Sequence, residues 1–184
     1  FDGNINFYSA GGGCQNSAFS SVIAHEYGHF IVNRLGLAQG AFGEGFGDSC
    51  GLILYDDPIV GHGFGPGLER NYSPGAPEDM YQCPGCGGEV HCCGEVLAGL
   101  WRDIREQLGV AMGEPAGLDY SRQLFVDWLQ ISSGGSGNNS AHAATGIELI
   151  TVDDDDGDVS NGSPHFAAPR AAALAPNVPS PVLP

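Results

Sequence analysis

The pentapeptide His25-Glu26-Tyr27-Gly28-His29 constrains this chain more than any other feature. Two imidazoles four residues apart can converge on one ion when the backbone between them is helical, because positions i and i+4 share a face. The spacing therefore predicts a helix. The flanking apolar residues agree, since Val22, Ile23, Phe30, Ile31 and Leu35 recur at helical intervals between Ser17 and Leu35. Asn16 or Ser17 can cap that helix, and Gly36 can end it. Both ring nitrogens can then meet a tetrahedral zinc ion at about 2.0–2.1 Å. Glu26 sits roughly 100° around the helix from His25, beside the coordination position left to water. A zinc-bound water has its pKa lowered toward about 7, and a neighbouring carboxylate can take its proton during attack on an amide. In a chain of 184 residues with this composition the pattern arises by chance about 0.01 times.

A third protein ligand decides the class of such a site. Metzincins carry Gly three residues after the second histidine and a third His three further on; those positions here are Val32 and Leu35. Instead, Ala41-Phe42-Gly43-Glu44-Gly45-Phe46-Gly47-Asp48 resembles the glutamate helix of the gluzincins, the thermolysin and fungalysin group. The resemblance implies Glu44 as third zinc ligand. It also implies Asp48, one turn on, as acceptor for the free ring N–H of a zinc histidine, which fixes tautomer and orientation. The segment Glu89-Val90-His91-Cys92-Cys93-Gly94-Glu95 through Trp101 is similar to the fungalysin stretch in which a histidine precedes a Gly-Glu pair and a Leu-Trp helix. By that likeness His91 steadies the oxyanion of the tetrahedral intermediate, a contact worth about 3–4 kcal/mol in other hydrolases. Arg70-Asn71-Tyr72-Ser73 resembles an Arg-x-Tyr-Ser patch of the same family. It implies Tyr72 as second oxyanion donor, with Tyr55 and Tyr81 as alternatives, and Arg70 as a grip on a substrate carbonyl or carboxylate. His62, His142 and His165 are assigned no metal role.

The fold implied is α+β and predominantly α: a zincin-like, gluzincin catalytic core with an active-site helix, a glutamate helix, a helical C-terminal part and a reduced N-terminal sheet. Residues 1–166 read as a single catalytic domain. Within it, 1–38 hold an edge strand at Ile5–Tyr8 and the active-site helix, and 39–166 are mainly helical. Residues 167–184 read as a Pro/Ala-rich tail. Further helices are expected at 42–55, 90–108, 120–131 and 141–150, with 56–88 and 132–139 as loops. The second helix carries Gly43, Gly45, Gly47 and Gly51, each costing about 1 kcal/mol in a helix; their use would be a close approach to a neighbour. Gluzincins have a β-rich subdomain before the active-site helix, yet 24 residues precede His25. That subdomain is therefore expected to be dispensable, or to lie on another segment or chain.

Charge narrows the partners. Six Lys+Arg against 22 Asp+Glu leave a net charge of −16. This argues against a nucleic-acid partner and against docking on an anionic membrane. No stretch approaches the roughly 20 apolar residues of a membrane-spanning helix. Phe1-Asp2-Gly3-Asn4 has no basic or apolar leader, as expected of a chain start left by processing or truncation. Six cysteines, four of them crowded into Cys83-Pro-Gly-Cys86-Gly-Gly-Glu-Val-His91-Cys92-Cys93, fit disulfides in a secreted or periplasmic protein, with a structural zinc site as the rival reading. The run Asp153-Asp154-Asp155-Asp156-Gly157-Asp158 resembles the front of a calcium loop, with Asp154, Asp156 and Asp158 as ligands; it lacks the closing Glu and second helix of an EF-hand. These readings converge on a zinc-dependent endopeptidase acting on protein or peptide substrates, with calcium as the second cofactor the sequence allows. The alternative is a non-catalytic zinc- or calcium-stabilised module of a larger extracellular assembly.

Overall fold

The computed structural model describes residues 4–13, 16–65, 67–74, 81–137, 139–141 and 144–182; Cys14 and His142 lie outside them. Six helices carry the fold: α1 (Ser20–Arg34), α2 (Gly40–Tyr55), α3 (Val90–Met112), α4 (Ala116–Ile131), α5 (Thr145–Asp153) and α6 (Ala167–Leu174). Two short strands, β1 (Ile59–Val60) and β2 (Arg70–Asn71), pair antiparallel with Val60 opposite Arg70. The protein is thus predominantly α. Among the described residues, no helix is long and apolar enough to cross a membrane.

α1 forms where the histidine spacing predicts. Its N-terminus differs from expectation: Phe19 is the N-cap and supplies no side-chain bond. Asn16 instead accepts from the Ala18 N–H, and Ser17 Oγ from the Tyr8 N–H, so both side chains are spent in the turn before the helix. Gly36 ends it with φ +71°, a conformation that costs glycine little.

α2 lies between α1 and α3 and packs on both. Close approach is possible because glycine meets glycine. A Cβ on Gly28 of α1 would stand 2.7 Å from the Gly47 Cα, and a Cβ on Gly94 of α3 would stand 2.7 Å from the Gly45 N. Both are closer than any real Cβ contact, so these helices can touch backbone to backbone only without side chains there. Behind them Phe46, Leu97, Trp101, Phe125 and Trp128 form the core, with Trp101 edge-on to Phe125 at 4.8 Å.

Four expectations need correction. Ile5–Tyr8 is not a strand; Tyr8 exchanges hydrogen bonds with Ser17, and no strand ladder includes it among the described residues. The sheet lies instead within the stretch expected to be loop, where β1 and β2 pair. The helix expected at 141–150 begins at Thr145, because Ser140 is pinned to α3, donating to the Cys93 carbonyl at 2.6 Å and accepting from the Leu97 N–H. Residues 167–184, read as a tail, include α6, whose Ala168, Ala172 and Ala173 are buried in the core beside Val178. A stripe of small residues at helical spacing is itself a packing face.

Candidate metal centre

His25 and His29 leave α1 one turn apart and Glu44 faces them from α2. Their ligand atoms all lie within 4.8 Å of one another. The His25 and His29 Nε2 atoms are 3.1 Å apart; His25 Nε2 is 3.3 Å from Glu44 Oε2, and His29 Nε2 is 3.4 Å from Glu44 Oε1. A tetrahedral zinc ion bound at about 2.0–2.2 Å holds its ligands about 3.4 Å apart. The separations, with Glu44 turning Oε2 to His25 and Oε1 to His29, lie close to that figure. Glu44 Oε2 is also buried and receives no hydrogen bond, although two imidazoles approach it at 3.3 Å. A buried carboxylate oxygen left this way is costly unless a cation completes it. The donor set of two imidazoles and one carboxylate suits zinc. On both counts the residues fit the ion.

Each histidine is oriented from behind. His25 Nδ1 bonds Asp48 Oδ1 at 2.7 Å, as expected for Asp48. Asp48 is 1% exposed and also receives the Tyr72 hydroxyl at 2.6 Å and two bonds from the Arg70 guanidinium. His29 Nδ1 meets Gln39 Oε1 at 2.9 Å, and Gln39 Nε2 donates to the His29 carbonyl at 3.0 Å. Gln39 was not singled out in the sequence. A side-chain amide just before a ligand helix is the signal that could have marked it.

The electrostatics follow from these contacts. Burial opposes a charge on His25, but the Asp48 and Glu44 carboxylates beside it carry its pKa up to about 9 in the metal-free protein. Burial acts the same way on His29, and Glu44 with Gln39 raises it nonetheless. For Glu44, burial is outweighed by the two histidines, which hold its carboxyl well below the usual range. Burial likewise works against Asp48, yet His25 and Arg70 keep it ionised.

A cleft of about 410 Å³ opens beside His25, lined among others by Val22 and Glu26 of α1, Arg70 of β2, and His91 and Glu95 of α3. The structure thus brings His25, Glu26, His29, Glu44, Asp48 and His91 together. His91 Nε2 lies 3.3 Å from Glu44 Oε2, and its Nδ1 meets Glu89 at 2.6 Å. Glu89, which the sequence reading passed over, also caps α3 by accepting from the His91 and Cys92 N–H groups; these bonds depress its pKa to about 2. An acidic residue just before a helix is the signal for such a cap.

Tyr72 does not stand where an oxyanion donor across the cleft would, and Arg70 lies at the cleft bound to Asp48. The Tyr72 ring is buried and its hydroxyl is committed to Asp48, behind His25 rather than across the cleft. Arg70 reaches the cleft, but its guanidinium is held by Asp48. The ladder with β1 places Arg70 and Tyr72 over α2, where a buried carboxylate attracts both. No tyrosine, Tyr55 and Tyr81 included, stands among the described residues lining the cleft.

The crowded cysteines form two bridges, Cys83–Cys93 and Cys86–Cys92, with S–S distances of 2.00 and 2.03 Å. The structural-zinc reading gives way to disulfides there. Cys50 is a free thiol whose pKa burial, aided by Asp48, pushes up to about 12. In the acidic run Asp154, Asp155 and Asp156 cluster, whereas Asp158 turns away to accept from Ser160. His165 bonds Asp153 and stacks near Tyr120, a structural latch.

No protein-family model matches this chain, and neither do any curated proteins or solved structures.

Proposed function

We propose that this chain is a zinc-dependent endopeptidase of gluzincin type with a zincin-like core, secreted or periplasmic, acting on peptide bonds in protein substrates. The observation that carries the proposal is the convergence of His25, His29 and the hydrogen-bond-free oxygen of Glu44 at zinc spacing, at the edge of a cleft that holds Glu26. Two disulfides support an oxidising compartment.

His25, His29 and Glu44 would hold the ion. Bound zinc supplies Lewis acidity, lowering the pKa of its water toward about 7. Glu26 takes the proton of the attacking water and delivers it to the leaving amine nitrogen. Asp48 and Gln39 hold both ring Nδ1 positions, leaving each Nε2 lone pair for the ion. His91, on the α3 side of the cleft, donates to the oxyanion formed as the carbonyl is attacked. With Tyr72 turned to Asp48, His91 is the side-chain donor proposed for that charge.

The test is elemental analysis of the purified protein joined to digestion of a broad peptide library by wild type and Glu26→Gln. One zinc per chain, and cleavage reduced about 10²–10⁴-fold in Glu26→Gln, is expected. Equal cleavage by the two zinc-loaded forms would sink the mechanism.

A further inference from the structure

The Cys86–Cys92 bridge closes a ring over residues 86–92 that contains both Glu89 and His91. Within it Gly87 and Gly88 adopt φ of 60° and 86°, backbone states that glycine enters and leaves freely. Glu89 is tied to the first turn of α3 by its cap bonds to the His91 and Cys92 N–H groups, and the closure adds a covalent tie between that turn and the glycine loop before it. The second bridge differs in place. Cys83 and Cys93 are 3% and 0% exposed and belong to the hydrophobic core, so Cys83–Cys93 ties the segment down. Cys86 and Cys92 are half-buried, and Cys92 forms part of the cleft wall.

We propose that the Cys86–Cys92 bridge is a positioning device for His91. It holds the Glu89 carboxylate against His91 Nδ1 and thereby aims His91 Nε2 at the centre. Opening it loosens the Glu89 carboxylate that orients the His91 ring, while the His91 backbone stays in the first turn of α3 and His25, His29 and Glu44, none of which lies in the ring, keep their places. The inference rests on the reading of His91 as oxyanion donor.

The experiment compares wild type with Cys86→Ser/Cys92→Ser, both zinc-loaded. Ring NMR of His91 is expected to show a hydrogen-bonded Nδ1–H held by Glu89 in wild type and the loss of that signal to exchange in the variant. Turnover falls about 100-fold, as for a misplaced catalytic group, with KM and zinc affinity within twofold. In a His91→Ala background the same cysteine replacements lower turnover no further, because the bridge acts through that side chain. An unchanged His91 spectrum, an equal loss in the His91→Ala background, or a parallel loss of zinc affinity would each overturn the proposal. Should the serine variant not fold, the half-buried bridge is opened in folded wild type with a water-soluble phosphine. The S–S bond is reduced to two thiols with protons from water, the phosphine leaves as its oxide, and the same spectrum decides. A wild type that cleaves no peptide defeats the proposed function, yet the His91 spectrum still rules on the bridge.

Discussion

Glu44 and Asp156 are both carboxylates set among further side chains that could bind a cation, but their oxygens keep different company. Glu44 stands on a rigid helix between two others. Its Oε2 is buried with no hydrogen bond, facing imidazoles that Asp48 and Gln39 hold from behind. Asp156 lies on an exposed loop, accepting from the Asp158 N–H at 2.9 Å and the Asn161 amide at 2.9 Å. Asp158 is likewise taken by Ser160, and Asp154 Oδ2 by the Gly157 N–H, while Asp154 Oδ1 is buried without a donor among the described residues. A loop can bend to satisfy its own carboxylates, whereas a carboxylate fixed between packed helices keeps the partners the packing allows. The acidic run looks the more obvious cation site in the sequence, yet Glu44 is the carboxylate that the packed helices hold against two imidazoles.

The widest gap between the two regions should appear on removing a carboxylate from each. Glu44→Ala is expected to weaken zinc binding by more than the 10–100-fold typical of losing an outer partner, as read by competition with a chelating dye. Asp156→Ala should leave zinc affinity unchanged. A Glu44→Ala protein that kept wild-type affinity would erase the distinction.

pH offers the next largest effect. The folded, metal-free protein holds His25 protonated to about 9, above its ordinary value of 6.5. A raised folded pKa means that this stabilisation is complete below about 6.5 and drains away as pH rises through 9, up to about 3 kcal/mol. Urea titrations of metal-free protein at intervals across that window check the slope. Zinc affinity should move the opposite way, rising over the same window as the competing proton leaves.

Gly47→Ala probes the packing that builds the centre. The added Cβ would lie 2.7 Å from His25 Nδ1. A net destabilisation of about 1–3 kcal/mol is expected despite alanine's better helix propensity, with weaker zinc binding. Stabilisation would show that α1 can move away without loss.

Gln39→Ala removes a neutral partner rather than a charged one, and a drop of about tenfold in zinc affinity is expected, at the low end for outer-shell groups. The smallest effect concerns the acidic run. Millimolar calcium added to dialysed protein should shift Tm by less than about 2 °C, the scale of under 1 kcal/mol for a domain of this size. A shift of several degrees would make that loop a genuine site and narrow its difference from Glu44.

The sequence by itself determined the helix that carries His25 and His29, its end at Gly36, the helix of Glu44 and Asp48, and the apolar face of α3. Each of these is a local periodicity or a local cap, readable because neighbours along the chain are neighbours on a helix. Tertiary structure alone decided the rest. It sent Tyr72 behind His25 and tied Arg70, at the cleft, to the buried charge of Asp48, and brought Gln39 to His29. It recruited Ala168 and Ala172 into the core and closed two bridges around Glu89 and His91. These outcomes depend on which surfaces meet and which buried charges must be matched, and contacts between residues far apart in the chain leave no period in the sequence.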